Sequence, residues 1–477
     1  MGQEICASHF HKADFDRFAR RLSEESLLLQ RLFDEGALSS RHGCGGFELE
    51  AWLVDRAGNP APINEAYLAL LGEGALYSPE LSRFNVELNS TPLQVEGDAL
   101  SRMQQELQSN WDHCRSVAQQ LDADLMMVGI LPTVRDEMLT LEQMSNMARY
   151  RALNEQVLRL RQGRPMQLDI QGQHHLHSEH TDVMLEAATT SFQIHLQVDQ
   201  HRAVRYYNAM QILSAPMVAV SANSPLLFGK RLWQETRIPL FEQAVAVGGF
   251  DGAAFGPIRR VSFGSGYARR SLMETFVENR DHFPLLLPVD LGEETAQFNH
   301  LRLHNGTIWR WNRPLIGFDL DGTPHLRIEH RVIPAGPTVL DAIANSAFFF
   351  GLVHSLAEQE EPPELQLDFA HARDNFYQAA RFGLSAQVDW IDGRHGRMRD
   401  LLQALLPRAR EGLQQQGCGA ADIELYLGVI AARLQSGQTG AAWQLQWLDR
   451  HGEEMTGLVA AYRERQDSGE PVHRWNL

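Results

Sequence analysis

The chain has 477 residues, 44% of them hydrophobic and 22% charged, and its 60 acidic against 43 basic side chains give a formal net charge of −17. That balance excludes a disordered chain and argues against broad nucleic-acid binding, and the length suffices for a large buried core. Met1 to His11 lacks a basic stretch followed by an apolar one, and no window approaches about 18 uninterrupted apolar residues, so a cytosolic protein with no membrane partner is expected. Cys6, Cys44, Cys114 and Cys418 are widely spaced with no C-x-x-C pair, which speaks against a zinc site or a disulfide framework.

In chain order, Phe15, Phe18, Leu22, Leu28, Leu29 and Leu32 recur near helical spacing and predict an amphipathic helix over 13–33. The run Gly43-Cys44-Gly45-Gly46 reads as a loop, with Cys44 a small loop residue, since no base is placed beside it. Gly46 to Val54 alternates with period two. As a strand it turns Phe47, Leu49, Ala51 and Leu53 to one face and Glu48, Glu50 and Trp52 to the other. Two acids that close repel, so either water screens them on an open sheet face or a cation neutralises them in a cleft. Taken alone, the solvated face is the plainer reading. A second alternating strand, Phe84 to Asn89, adds Glu87 to a polar face.

Residues 98–121 form a long amphipathic pattern, and the wholly apolar run 125–131 suits a central strand buried on both faces. Residues 141–162 are helical in composition and contain Arg149-Tyr150-Arg151, by default a solvated basic face, with a phosphate or carboxylate clamp as the alternative. His174, His175, His177 and His180 have a spacing read as fitting neither one helix face nor one strand face, and are taken as a mobile polar loop. Ser191 to Val198 predicts a third strand with Gln193, His195 and Gln197 on its polar face; a lone histidine there is more often structural than a ligand. The apolar helix Met210 to Val220 ends in Ser221-Ala222-Asn223-Ser224-Pro225, strong turn chemistry.

Residues 248–270 are rich in Gly and Arg, including Gly264 to Arg270, a weak phosphate-loop signal; no Walker A motif and no G-x-G-x-x-G after a strand is present. Thr307 to Pro314 and, after an Asp321-Gly322 hairpin turn, His325 to Val332 follow. The latter puts Arg327, Glu329 and Arg331 on one face, and two guanidiniums flanking an acid suit a multiply charged anion held beside a cation. From about 338 onward the composition is helical, with candidate helices at 338–357, 371–383, 396–416, 420–435 and 440–466, the last two separated by Gly437 to Gln444.

Four strands thus repeat one design, an apolar face for packing and a polar face that carries Glu48 with Glu50, then Glu87, then His195, then Arg327, Glu329 and Arg331. Antiparallel sheets can keep one face on the core and leave the other to a ligand. Carboxylates with one imidazole suit hard divalent cations such as Mg2+ or Mn2+, and the arginines suit phosphate, which together equip a site for phosphoryl transfer from ATP.

The E-x-E strand, Gln-x-His on a later strand and Arg-Ile-Glu-x-Arg resemble the carboxylate-amine ligases of glutamate-cysteine ligase family 2, within the glutamine synthetase-like superfamily. Ser221 to Pro225, Thr-Ile-Trp-x-x-x-Arg-Pro at Thr307 to Pro314 and Gly-Ala-x-x-Gln at Gly440 to Gln444 belong to the same resemblance. It implies an α+β fold in which a curved antiparallel sheet lines a metal and ATP cleft, backed by helices, with a helical C-terminal portion. The division it suggests is an N-terminal helical segment (1–40), the catalytic sheet domain (41–337) and a helical portion packed on it (338–477). Glu48, His195 and Glu329 would hold one cation and Glu50 with Glu87 another, while Arg313, Arg327 and Arg331 would neutralise the ATP phosphates and the transferring phosphoryl group. The implied reaction activates an amino-acid carboxylate, that of glutamate, as an acyl phosphate that an amine such as cysteine then attacks. A guanidino-kinase type of phosphoryl transfer and a nucleotide-binding regulator without turnover are the alternatives. A homo-oligomer is left open.

Overall fold

The computed structural model describes residue 5 and residues 9–72, 76–247 and 259–477. The first part of the Gly- and Arg-rich stretch, together with Cys6, lies outside the described residues. The N-terminal pattern forms helix α1 (Lys12–Glu35), which starts in a capping box between His11 and Asp14 and stops at Gly36 in a left-handed conformation.

The central sheet has eight strands. They are β1 (Cys44–Asp55), β2 (Tyr77–Pro79), β3 (Asn85–Asn89), β4 (Leu93–Gln94), β5 (Ala123–Met126), β8 (Phe192–Val198), β9 (Asn312–Phe318) and β10 (Pro324–His330), while β6 (Met166–Gln171) and β7 (His175–His180) make a separate hairpin. The order is β9-β10-β8-β1-β3-β2, with β4 and β5 pairing with the two ends of β1, and every pairing within the sheet is antiparallel. The fold class is therefore α+β, a curled antiparallel half-barrel with C-terminal helices.

One face of this sheet is core. Phe47, Leu49, Ala51 and Leu53 of β1 and Phe192, Ile194, Leu196 and Val198 of β8 are all buried, as the alternation requires. Helix α4 (Ala203–Ser221) packs against β9 and β10 on this side, after α2 (Ala99–Gln119) and α3 (Ala148–Leu160), and before the short α5 (Asn299–Gly306). Behind α4 lies α6 (Val339–Glu358), whose Phe349 ring stacks on His330 at 4.4 Å. Helix α6 is the one described helix long and apolar enough to cross a membrane, and it is buried within the protein. The remaining helices are α7 (Phe369–Phe382), α8 (Met398–Gln415), α9 (Ala420–Ser436), α10 (Gly440–His451) and α11 (Met455–Asp467).

Four expectations change. The span 440–466 is two helices, because the chain leaves α10 at Gly452 and Glu454 caps α11 by accepting from Thr456 and Gly457. The apolar run 125–131 is strand only to Met126, and the rest stays buried without strand pairing. The histidine-rich segment is no loop but the second strand of the β6–β7 hairpin. His175 and His177 lie on its exposed face, and His180 points inward, 2.8 Å from Asp136. Cys44 opens β1, opposite Gln94, and burial raises its thiol pKa, so it is not an activated thiolate.

Two of the sequence motifs serve the scaffold. Asn223 donates to the Ala335 carbonyl and the Tyr462 hydroxyl, 2.8 Å each, and its side-chain oxygen accepts from Gln444 at 3.0 Å. Gly440 lies so close that a Cβ there would overlap the Asn223 side chain. The Ser-Ala-Asn-Ser-Pro and Gly-Ala-x-x-Gln motifs thus lock into each other, tying the end of α4 to the start of α10.

Candidate active site

The other face of the sheet is where the charged residues meet. Cross-strand register sets Glu50 against Glu87, Glu48 against Gln193, His195 against Glu329, and Glu329 against Arg313. Side chains opposite one another across strands share a face, so these groups converge without any long-range adjustment. They line a cavity of about 550 Å³, with His195 buried between Glu48 and Glu329.

Two clusters stand out. Glu48, His195 and Glu329 each offer a ligand atom within 4.8 Å of the others, and Glu50, Glu80 and Glu87 do the same. His195 Nε2 is 3.3 Å from Glu48 and 3.8 Å from Glu329, yet neither ring nitrogen of this buried imidazole makes a hydrogen bond. A buried ring held only at these distances from two carboxylates is poorly satisfied, and a ring nitrogen aimed between them is what a cation ligand needs. In the second cluster burial and the neighbouring Glu80 push Glu50 up to about 7. Burial, Glu48 and Glu80 hold Glu87 well above the usual range, and burial raises Glu80 as well. Without a cation these acids keep protons because their charges cannot coexist in a dry site. The donor sets, oxygen with one imidazole, fit hard divalent ions.

The arginines divide. Burial works to raise the Glu329 pKa, but Arg313 and Arg331 overcome it and hold the group at about 2. Arg313 grips Glu329 with two hydrogen bonds, Nε at 2.8 Å and NH2 at 2.9 Å, and Arg331 adds a third at 3.0 Å. Arg331 also donates to Gln193, whose amide donates to Glu50 at 2.7 Å, so one chain of bonds joins the two clusters. Arg327 makes no ion pair among the described residues, and its Nε is buried without an acceptor.

All eight residues singled out from the sequence thus lie in or against one cavity. Two details differ from expectation. Arg313 lines the cavity but grips Glu329 with two of its donors, and the partners of Glu329 are Arg313 and Arg331, with Arg327 standing apart. The sequence reading missed Glu80, Glu186 and Arg302, and it placed Arg149-Tyr150 on a solvated face. In the structure Arg149 and Tyr150 line the cavity and only Arg151 is exposed. Burial, Glu80 and Glu50 push Glu186 up to about 8. A faint signal for Glu80 existed, a lone acid seven residues before Glu87 in Ser78-Pro79-Glu80, but it follows no alternation.

An antiparallel half-barrel with two acid clusters and arginines on its concave side defines the class, a half-barrel fold whose cleft is equipped for cations and a polyanion. The model of glutamate-cysteine ligase family 2 matches residues 45–466, and the chain belongs to that family. It is by this membership an ATP-dependent carboxylate-amine ligase. Among solved structures, a glutamate-cysteine ligase from Francisella tularensis in complex with AMP is similar at a TM-score of 0.53 and 10% identity, over 91% of this chain and 90% of that one. A bifunctional glutathione synthetase from Pasteurella multocida is similar at 0.50 and 10%, over 93% of this chain and 55% of that one. A comparison with curated proteins gives no match.

Proposed function

We propose that the protein joins the γ-carboxylate of L-glutamate to the amino group of a second amino acid, L-cysteine being the first candidate, with ATP converted to ADP and phosphate. The observation that carries this reading is the pairing of two carboxylate clusters with Arg327 and Arg331 inside one cavity. Glu48, His195 and Glu329 would hold one Mg2+ or Mn2+ and Glu50, Glu80 and Glu87 another. Such ions, when bound, neutralise phosphate charge and orient the phosphoryl oxygens. The AMP held by the Francisella tularensis ligase agrees with a nucleotide in this cleft.

The chemistry needs no protein nucleophile. A carboxylate oxygen of the substrate attacks the γ-phosphorus, ADP leaves with the bond pair, and an acyl phosphate results. The amine nitrogen then attacks the acyl carbon, the C–O bond to phosphate breaks, and phosphate leaves as the nitrogen loses a proton. Arg331 and Arg327 stabilise charge on the transferring group, while Arg313 acts one step back, by fixing Glu329. Gln193 keeps Arg331 and Glu50 in register.

The test is release of ADP and inorganic phosphate by purified protein with Mg2+, ATP, glutamate and a panel of amino acids and amines, with the product identified by mass. Phosphate release that depends on both glutamate and an amine is expected. ADP release without inorganic phosphate would mark a kinase, and tight ATP binding without turnover on any pair would mark a regulator.

A further inference from the structure

An amine that enters as an ammonium ion ends as an amide N–H, so two protons leave its nitrogen. The second departs with the phosphate, which leaves as hydrogen phosphate, but the first must be taken up before the lone pair can attack. The acids facing the cavity are Glu48, Glu50, Glu80, Glu87, Glu186 and Glu329. Five of them belong to the two groups placed to hold cations, and a carboxylate that serves as a metal ligand has to stay deprotonated. Glu186 is the sixth, and it belongs to neither group.

The local structure sets Glu186 apart as well. It sits in the short 3-10 helix Met184–Ala188, ahead of β8, where Met184, Leu185, Ala187 and Ala188 are all buried. Those four side chains anchor the turn in the core, and the helix Arg237–Ala244 packs on it. The one charged side chain of the turn is half-buried and reaches the cavity. Packing of the turn does not require an acid there, and half-burying one costs desolvation. The charged neighbours of Glu186 are Glu80 and Glu50, which disfavour its ionised form, and Arg331, which favours it. Glu186 is therefore within electrostatic reach of both the second acid cluster and the arginine that faces the transferring phosphoryl group. Tyr150 has Glu80, Arg149 and Glu186 as its charged neighbours. The Val183 N–H, three residues before Glu186, donates to Asn154 of α3 at 3.0 Å, which holds the turn against the helix that brings Tyr150 and Leu153 to the cavity. This side of the cavity thus offers one carboxylate beside an aromatic ring and the aliphatic Leu153 and Val183, a seat for the charged nitrogen and the apolar body of a primary amine.

We propose that Glu186 is the catalytic residue that receives the acceptor amine. Its carboxylate pairs with the ammonium ion, takes one proton and passes it to water. The freed nitrogen then forms its bond to the acyl carbon while the C–O bond to phosphate breaks, with its electron pair going to the phosphate. The proposal rests on the ligase reading given above. Two acceptors are compared: an amino acid, protonated at neutral pH, and hydroxylamine, which is already unprotonated there and needs no group to take a first proton. Amide and hydroxamate formation with glutamate and Mg-ATP, KM for ATP and for glutamate, and melting temperature are measured on the wild type, E186Q and E186D, from neutral pH upward. E186Q lowers amide formation by about a hundredfold or more, keeps hydroxamate formation near the wild-type rate and leaves KM for ATP and for glutamate unchanged. Raising the pH restores amide formation in E186Q in proportion to the unprotonated fraction of the amine. E186D keeps the charge at a shorter reach, recovers part of the loss, and tests the role even where E186Q fails to fold. Equal losses with both acceptors overturn the proposal, and so does unchanged amide formation in folded E186Q. A wild type that makes hydroxamate but no amide with any protonated amine overturns the proposal and leaves the ligase reading standing, whereas a wild type that makes neither overturns both.

Discussion

Two buried charge networks in this molecule are built from the same residue types and differ in one respect. Among the C-terminal helices, Asp341 of α6 and Arg433 of α9 are essentially inaccessible and 2.7 Å apart. The second Asp341 oxygen accepts from Thr338 at 2.9 Å and from the Val472 N–H at 3.0 Å, while Arg433 Nη1 donates to Asn345 and to the Val220 carbonyl. In that network the acid meets an arginine and both its oxygens are taken up. In the cleft only Glu329 has its charge balanced by arginine in this way. Glu87 is buried and Glu50, Glu80 and Glu186 are half-buried, all four with raised pKa values, His195 rests 3.3 and 3.8 Å from two carboxylates, and Arg327 lacks an acid among the described residues. Buried charge that is fully paired holds structure, and buried charge left open is waiting for something to complete it.

Substitutions that treat the two networks alike should separate them. Asp341→Asn leaves Arg433 buried and uncompensated, and is expected to lower stability by about 3–5 kcal/mol in urea melts with turnover per folded molecule unchanged. Glu329→Gln keeps shape and one accepting oxygen but removes charge a hard cation needs. It should lose stability too, because Arg313 and Arg331 are left uncompensated, but the protein that remains folded should lose activity by at least about a hundredfold per folded molecule and require more Mg2+. Near-normal turnover in a folded Glu329→Gln protein would remove Glu329 from the site.

Gly440→Ala forces a methyl group against Asn223, and the strained clasp should cost about 1–3 kcal/mol in a thermal or urea melt, again without changing turnover per folded molecule. Arg331→Lys keeps one positive charge but loses the planar guanidinium, whose Nη1 donates to both Gln193 and Glu329, so ADP release should drop about tenfold while the melting temperature moves little.

The smallest effect is in pH. Glu50 titrates at about 7 when folded, above its ordinary 4.5, so between those values the native state binds more protons than the unfolded one. The contribution of Glu50 is then complete below about 4.5 and is lost as pH rises through about 7, so the cation-free protein should melt at lower temperature as pH increases over that window. Cation binding must displace those protons. Apparent Mg2+ affinity should therefore rise with pH, and saturating Mg2+ should flatten the pH dependence of melting; melts in chelator and in Mg2+ from pH 5 to 8 check both.

Much of the site follows from a local rule. Strands alternate with period two, so Glu48 and Glu50, Glu87, His195, and Arg327 with Glu329 and Arg331 declare their common face within a few residues each, and antiparallel pairing then brings the faces together. Helix positions were equally legible where apolar spacing recurs, as in α1, α2 and α6. What the tertiary structure alone decided is which residues off the strands join them. Glu80 follows the short strand β2, Glu186 sits in a short 3-10 helix, and Arg149 and Arg302 lie on helices whose side toward the cavity is chosen by packing. The partner of Arg313 was likewise set by cross-strand register and not by anything in its own segment. Periodicity is written along the chain, but the filling of a concave face depends on which distant elements fold over it, and that is settled only when the sheet curls and its helices dock.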